Sequence, residues 1–255
     1  MTTAALRWVS SRESRGVSER QFEIDGARGP VPGLVWTPAG AAGGRPLVLI
    51  GHGASGSKRE GHVVALARRL VRHHGFAAAA IDGPVHGDRR QDGGSVAGLA
   101  FLEFSQRWAG DPEMTDDMVT DWRRTIDRLA ALDDIGAGPV GFWGLSMGTI
   151  LGLPLVAADD RIVVAVLGLM GVTGPTSARV AADAADVACP VLFVVQWDDE
   201  LFERSAAFAL FDRLGTPDKR LHANPGPHSA VPPDELDATE AFLADRLAPD
   251  AAPPV

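Results

Sequence analysis

Hydrophobic and polar positions change rhythm along the chain in a repeating way. Continuous apolar runs of strand length, PLVLI (46–50), FAAAAID (76–82), PVGFWGL (139–145), RIVVAVLGL (161–169) and PVLFVVQW (190–197), are separated by stretches with apolar residues every three or four positions. An unbroken apolar run suits a strand covered on both faces. Its alternation with helical periods predicts a mostly parallel sheet between two helical layers. The first helical stretch puts Val63, Leu66, Ala67, Leu70 and Val71 on one face and stops at Gly75. The next runs from about Thr115 to Leu132, with Met118, Trp122, Ile126 and Leu129 on one face and Thr115, Asp116 and Asp117 where free amides favour caps and acids. Further helices are expected from Ser146, over 177–187, over 203–215 and from Asp234 to Leu247.

Two shorter strands, 21–24 and 33–36, precede the first buried one and are joined by the Gly/Pro-rich DGARGPVPG; DKRLHA (218–223) is the last strand. The pattern predicts an α/β fold of about eight strands in a single domain over 1–248, with 249–255 a disordered tail. Residues 83–114 break the rhythm with a polar loop and then an apolar patch around Leu99, Phe101, Leu102, Phe104 and Trp108, which reads as a small lid or loop insertion.

Composition narrows the function. The chain has 255 residues, 45% hydrophobic and 22% charged, as in an ordinary globular protein. A net charge of -9 argues against the basic face of a nucleic-acid binder. No run approaches the roughly 20 apolar residues of a membrane span, and the N-terminus lacks a signal-length apolar run. The lone Cys189 excludes an intrachain disulfide and a cysteine zinc site, so a cytoplasmic location is expected. A homodimer is left open.

The strongest chemical signal is GLSMG (144–148), set between an expected strand and an expected helix. This is the G-x-S-x-G nucleophile elbow: Ser146 on a sharp turn, flanked by residues without side chains, at a helix N-terminus that favours a developing anion. A serine hydroxyl needs a base, oriented in turn by a carboxylate, in the chain order Ser, Asp, His. His228, in the loop NPGPHSAVP, fits the base; Asp199 or its neighbour Asp198, after the strand 190–197, fits the acid. Met147, directly after the nucleophile, is the expected first oxyanion donor. Among the other histidines, His62, His73 and His74 read as solvated on the first helix, and His222 as packed on a strand.

Together with DGPVHGDR (82–89), similar to a D-x-P-G-x-G turn, these features resemble the α/β-hydrolase superfamily over about residues 17–248. The resemblance implies that fold, with at most a small lid. Counted from Gln196, where the family usually has glycine, the acid falls on Asp199. The His52-Gly53 pair resembles the family's oxyanion turn, which makes Ala54 the second donor and His52 a brace or substrate contact. Val85 stands where the D-x-P-G-x-G turn usually has glycine. The loop HGASGSKR is most similar to the dienelactone-hydrolase-like and small-esterase branch, although dienelactone hydrolases carry Cys at the elbow. Cys189 is far from the elbow and reads as packed. The absence of tyrosine disfavours branches with a tyrosine in the oxyanion hole, and Ser146 excludes the Asp-nucleophile branches.

The expectation is therefore a serine hydrolase acting on a small-molecule ester, without nucleic-acid or membrane partners. Candidate substrate contacts are His52, His86, Phe104, Trp143 and Trp197. Thioester, lactone or amide cleavage and acyl transfer are alternatives on the same triad, with Lys58, Arg59, Arg89 and Arg90 as candidate partners of an anionic substrate. A non-catalytic binding protein on the same fold is the alternative of another class. Gly51 to Lys58 misses the phosphate-loop spacing by one residue, and Gly168, Gly171 and Gly174 miss the dinucleotide spacing. No histidine–carboxylate cluster has metal-ligand spacing, so neither cofactor nor metal is expected.

Overall fold

The computed structural model describes residues 6–40, 43–90 and 97–248. The expectations for 249–255, and for 91–96 within the irregular stretch, lie outside these residues. The strands and helices follow in chain order: β1 (Arg7–Ser14), β2 (Val17–Gly26), β3 (Gly29–Pro38), β4 (Leu47–Gly51), α1 (Gly61–His74), β5 (Ala77–Ile81), α2 (Ala97–Gly110), α3 (Met114–Ala130), β6 (Val140–Gly144), α4 (Met147–Ala158), β7 (Ile162–Gly168), α5 (Ser177–Asp186), β8 (Val191–Gln196), α6 (Arg204–Arg213), β9 (Lys219–Asn224) and α7 (Pro233–Leu247). All nine strands form one sheet in the order β1-β2-β3-β5-β4-β6-β7-β8-β9, parallel from β5 through β9 and antiparallel at the β1–β3 end.

The described residues hold nine strands where about eight were expected, the addition being β1, which carries no hydrophobic signal. Its sequence RWVSSRES is exposed at every position, so neither face selects an apolar alternation. The next hairpin is also longer and tighter than expected, with Gly26 opposite Gly29 and only Ala27 and Arg28 at the turn. Pro30 and Pro32 argue locally against a strand, yet β3 carries both. They lie beyond its pairing with β5, which runs from Gly33–Ile81 to Trp36–Ala78, so that side needs no amide donor there.

Alternation along the buried strands feeds two cores. Leu47, Leu49, Ala77, Ala79 and Phe142 face the layer of α3 to α6; Val48, Ile50, Ala78, Ala80 and Trp143 face α1 and α7. β5 is nearly all alanine, which lets helices approach both faces. Helix α4 is buried along almost its whole length; a Cβ at Gly152 would fall 2.0 Å from the Phe142 ring. That helix therefore presses its N-terminus against the end of β6, where the candidate nucleophile sits. The apolar patch at 97–110 is a regular helix, α2, with Phe104 buried and Phe101 and Leu102 exposed.

Candidate active site

The chain turns from β6 into α4 through Ser146, whose φ of 58° and ψ of -121° lie in a region that non-glycine residues rarely adopt. The turn closes only because its flanks are glycine: a Cβ at Gly144 would lie 2.7 Å from the Gly148 carbonyl oxygen, and one at Gly148 the same distance from that of Gly51. Thr149, which the motif did not single out, latches the bend. Its buried hydroxyl sits 2.8 Å from the Gly144 carbonyl and 2.7 Å from that of Gly168, and it accepts the Gly168 amide at 2.8 Å.

His228 arrives on the loop between β9 and α7. Its Nε2 lies 2.9 Å from Ser146 Oγ and its Nδ1 2.8 Å from Asp199 Oδ2. The other Asp199 oxygen accepts the Leu201 and Phe202 amides at 2.8 and 2.9 Å, which fixes the carboxylate. Asp198 instead accepts the Gly226 amide at 3.1 Å, and Glu200 accepts the His228 amide at 2.9 Å, which holds the Glu200 carboxyl below its usual range. Gln196, at the position the family usually gives to glycine, is buried and donates from Nε2 to the Pro227 carbonyl at 3.1 Å, bracing the histidine loop from below.

Met147 begins α4, so its amide is among those that a helix leaves without an internal acceptor. Ala54 lines the same cleft as Ser146. Its peptide group is set by His52. The Gly83 amide donates to His52 Nε2 at 2.9 Å, so the proton is on Nδ1, which donates to the Gly53 carbonyl at 2.8 Å. Pinning that oxygen aims the Ala54 amide of the same planar peptide the opposite way. Burial, reinforced by His86, pushes the His52 imidazole down to about 4 and keeps it neutral. His86 lies between the Ala54 and Pro84 carbonyls, 2.8 and 2.7 Å away.

Of the expected substrate contacts, Trp143 and Phe104 line cavities that open on Ser146. His52 and His86 do not: at 2% and 0% exposure they sit behind the loop, their ring nitrogens taken by backbone. Trp197 is 48% exposed and stacks under Arg204 at 4.0 Å, outside both cavities. The sequence missed His62, Leu201, Val231 and Leu236, which do line the cleft. His62 is exposed, as expected, and its ring also tilts over Trp143 at 5.6 Å.

The basic residues considered for an anionic substrate are engaged elsewhere. Lys58 is buried against Asp82, also buried, and Asp88, the latter at 2.7 Å; Arg89 pairs with Asp121 and Arg90 with Glu103, each at 2.7 Å. Arg59 holds Gln21 at 2.8 Å. Val85 has φ 58°, so the left-handed bend is kept without the family's glycine. A separate opening of about 760 Å³ lies over β2, β3 and α3; it is polar and does not contain Ser146. Among the described residues one cluster gathers atoms that could ligate a metal: those of His73, His74 and Glu240 lie within 4.8 Å of one another where α1 meets α7, a grouping that spacing along the chain does not show. The second Glu240 oxygen is held by Arg69.

No protein-family model and no curated protein sequence matches the chain. Among solved structures it is similar to a cold-adapted esterase from an Arctic intertidal metagenomic library, at 40% identity and a TM-score of 0.84, covering 94% of this chain and 99% of that one. An acetyl xylan esterase from Paenibacillus sp. R4 is 20% identical with a TM-score of 0.70, over 94% and 88% of the two chains. Acetyl xylan esterase 1 from Thermoanaerobacterium sp. JW/SL YS485 is 16% identical with a TM-score of 0.74, over 96% and 89%. At those identities the latter two show a shared fold.

Proposed function

The chain belongs to the α/β-hydrolase esterases, and on that premise we propose that it cleaves small carboxylic esters through an acyl-enzyme formed on Ser146. The observation that carries this reading is the continuous hydrogen-bonded line Ser146–His228–Asp199, with steps of 2.9 and 2.8 Å.

Ser146 Oγ attacks the ester carbon while His228 Nε2 takes its proton. The carbonyl oxygen becomes an anion received by the Met147 and Ala54 amides. As the carbon–oxygen bond to the alcohol breaks, His228 returns the proton to the departing oxygen. Water, deprotonated by the same ring, then releases the acid and frees Ser146. Asp199 holds the ring in the tautomer that leaves Nε2 free to accept. Each oxyanion donor contributes about a hundred- to a thousand-fold in rate.

The substrate is taken as a small neutral ester, since Lys58, Arg89 and Arg90 are committed to internal carboxylates and Arg59 to Gln21. Net charge -9 supports the absence of a nucleic-acid partner. No helix among the described residues is long and apolar enough to cross a membrane. A cytoplasmic setting agrees with the lone Cys189, whose thiol burial pushes up to about 12 and so keeps out of thiolate chemistry. The test is hydrolysis of p-nitrophenyl acetate by the purified protein, with Ser146→Ala as control. Turnover abolished by the substitution supports the reading; equal rates for both proteins overturn it.

A further inference from the structure

Ser146 stands where two cavities of unequal size meet, and we infer that the smaller holds the acyl chain, with Trp108 as its end-stop, while the larger holds the alcohol. This rests on the ester-hydrolysis reading above. The smaller cavity, about 210 Å³, is lined by Ala54, Phe104, Trp108, Met147, Ile150 and Thr173. The larger, about 570 Å³, is lined by Trp143, Leu145, Leu169, His228, Val231 and Leu236. Phe101 and Leu201 border both.

The chemistry assigns the two. In the tetrahedral intermediate the attacked carbon carries Ser146 Oγ, the oxyanion, the alcohol oxygen and the acyl chain. The oxyanion goes to the Met147 and Ala54 amides. The alcohol oxygen must meet the proton on His228 Nε2 before its bond to carbon breaks. His228 and the adjoining Ser229 line only the larger cavity of the two, so the alcohol's carbon skeleton extends there. The acyl chain, directed away from the imidazole, is left the smaller cavity beside Met147.

Trp108 is held as a wall of that cavity. It stacks on Phe104 with centroids 6.2 Å apart and planes 17° apart, and its indole N–H donates to Thr176 Oγ1 at 2.8 Å. Gly174 presses against the ring so closely that a Cβ there would lie 2.5 Å from it. An indole supported by a ring, a hydrogen bond and backbone yields little to a longer chain. Sites for whole small ligands occupy about 300–1,000 Å³. The larger cavity falls within that range and the smaller below it. The substrate class is therefore an ester of a short-chain acid with a bulkier, apolar alcohol.

The experiment measures kcat/KM for p-nitrophenyl acetate, butyrate, hexanoate and octanoate, and for ethyl against 2-naphthyl acetate. It uses wild type, Trp108→Ala, Thr173→Phe and Leu236→Trp. The expected results are a wild-type preference for the short acyl esters, and an octanoate-to-acetate ratio that rises about tenfold or more in Trp108→Ala and falls in Thr173→Phe, since a single methylene in a fitted pocket is worth about tenfold or more. Leu236→Trp lowers the naphthyl-to-ethyl ratio instead. An acyl profile unmoved by both Trp108→Ala and Thr173→Phe, or moved by Leu236→Trp, overturns this assignment while leaving ester hydrolysis standing. A wild type that turns over no ester overturns both.

Discussion

Asp199 and His228 are 29 positions apart in the chain and 2.8 Å apart in space, whereas Asp198, one residue earlier, turns its carboxylate to the Gly226 amide. The difference follows from the sharp turn after β8. Asp199 accepts two amides from its own turn, so its remaining oxygen is presented to the ring; Asp198 spans the turn and fastens the loop that carries the ring. Adjacent acids thus do different work.

Replacing Asp199 by Asn is expected to lower kcat by about ten-thousand-fold, because the amide favours the wrong tautomer of His228. Asp198→Asn is expected to cost far less, since it loosens a loop and leaves the ring's partner in place. Steady-state kinetics of the two variants on p-nitrophenyl acetate check this; a larger loss at Asp198 would reverse the assignment.

On the proposed mechanism His52 acts through the Gly53–Ala54 peptide, whose carbonyl its Nδ1 holds at 2.8 Å, and not on substrate. His52→Ala is expected to lower kcat by about tenfold or more, a fraction of what loss of a whole oxyanion donor costs, with a smaller change in KM. A rise in KM at constant kcat would mark His52 as a binding residue instead.

The same buried ring predicts a pH dependence of stability. In the unfolded chain His52 takes a proton below about 6.5, in the folded protein only below about 4. Between these values the unfolded state holds more protons, so stability falls as the solution is acidified through that window, by ~3 kcal/mol from this group. Urea unfolding at pH 4 to 7 checks it. His52→Gln should flatten the wild-type slope between pH 6.5 and 4; an unchanged slope would remove His52 as its source.

Lys58 and Asp82 tie the loop after β4 to the turn after β5, with Asp82 also accepting the Lys58 and Asp88 amides at 3.0 and 2.8 Å. Lys58→Met leaves Asp82 buried without its cation and is expected to cost about 3–5 kcal/mol in urea unfolding. A loss below about 1 kcal/mol would show that the pair is not needed to hold the loops.

The sequence made the parallel part of the fold readable because strands covered on both faces are written as unbroken apolar runs. β1 was illegible for the opposite reason: exposed on both faces, it is written like a loop. The elbow and its histidine were legible because a strained turn needs glycines at fixed spacing and a proline-rich loop frames the base. What failed was the distinction between a residue in the cleft and one just behind it. His52 and His86 sit on site loops, yet their rings point into backbone; Trp197 follows a site strand and faces solvent. Side-chain direction on irregular backbone has no period to read. The cluster of His73, His74 and Glu240 was hidden because its members come from helices 166 and 167 positions apart.

On the proposed mechanism His228 activates one hydroxyl, that of Ser146. Treating the protein with a fluorophosphonate and locating the adduct by mass spectrometry tests this. The expected result is one phosphonate, on the peptide containing Ser146, with labelling lost in Ser146→Ala and slowed about a hundredfold or more in His228→Ala. An adduct on any other residue, or undiminished labelling of Ser146→Ala, would contradict it.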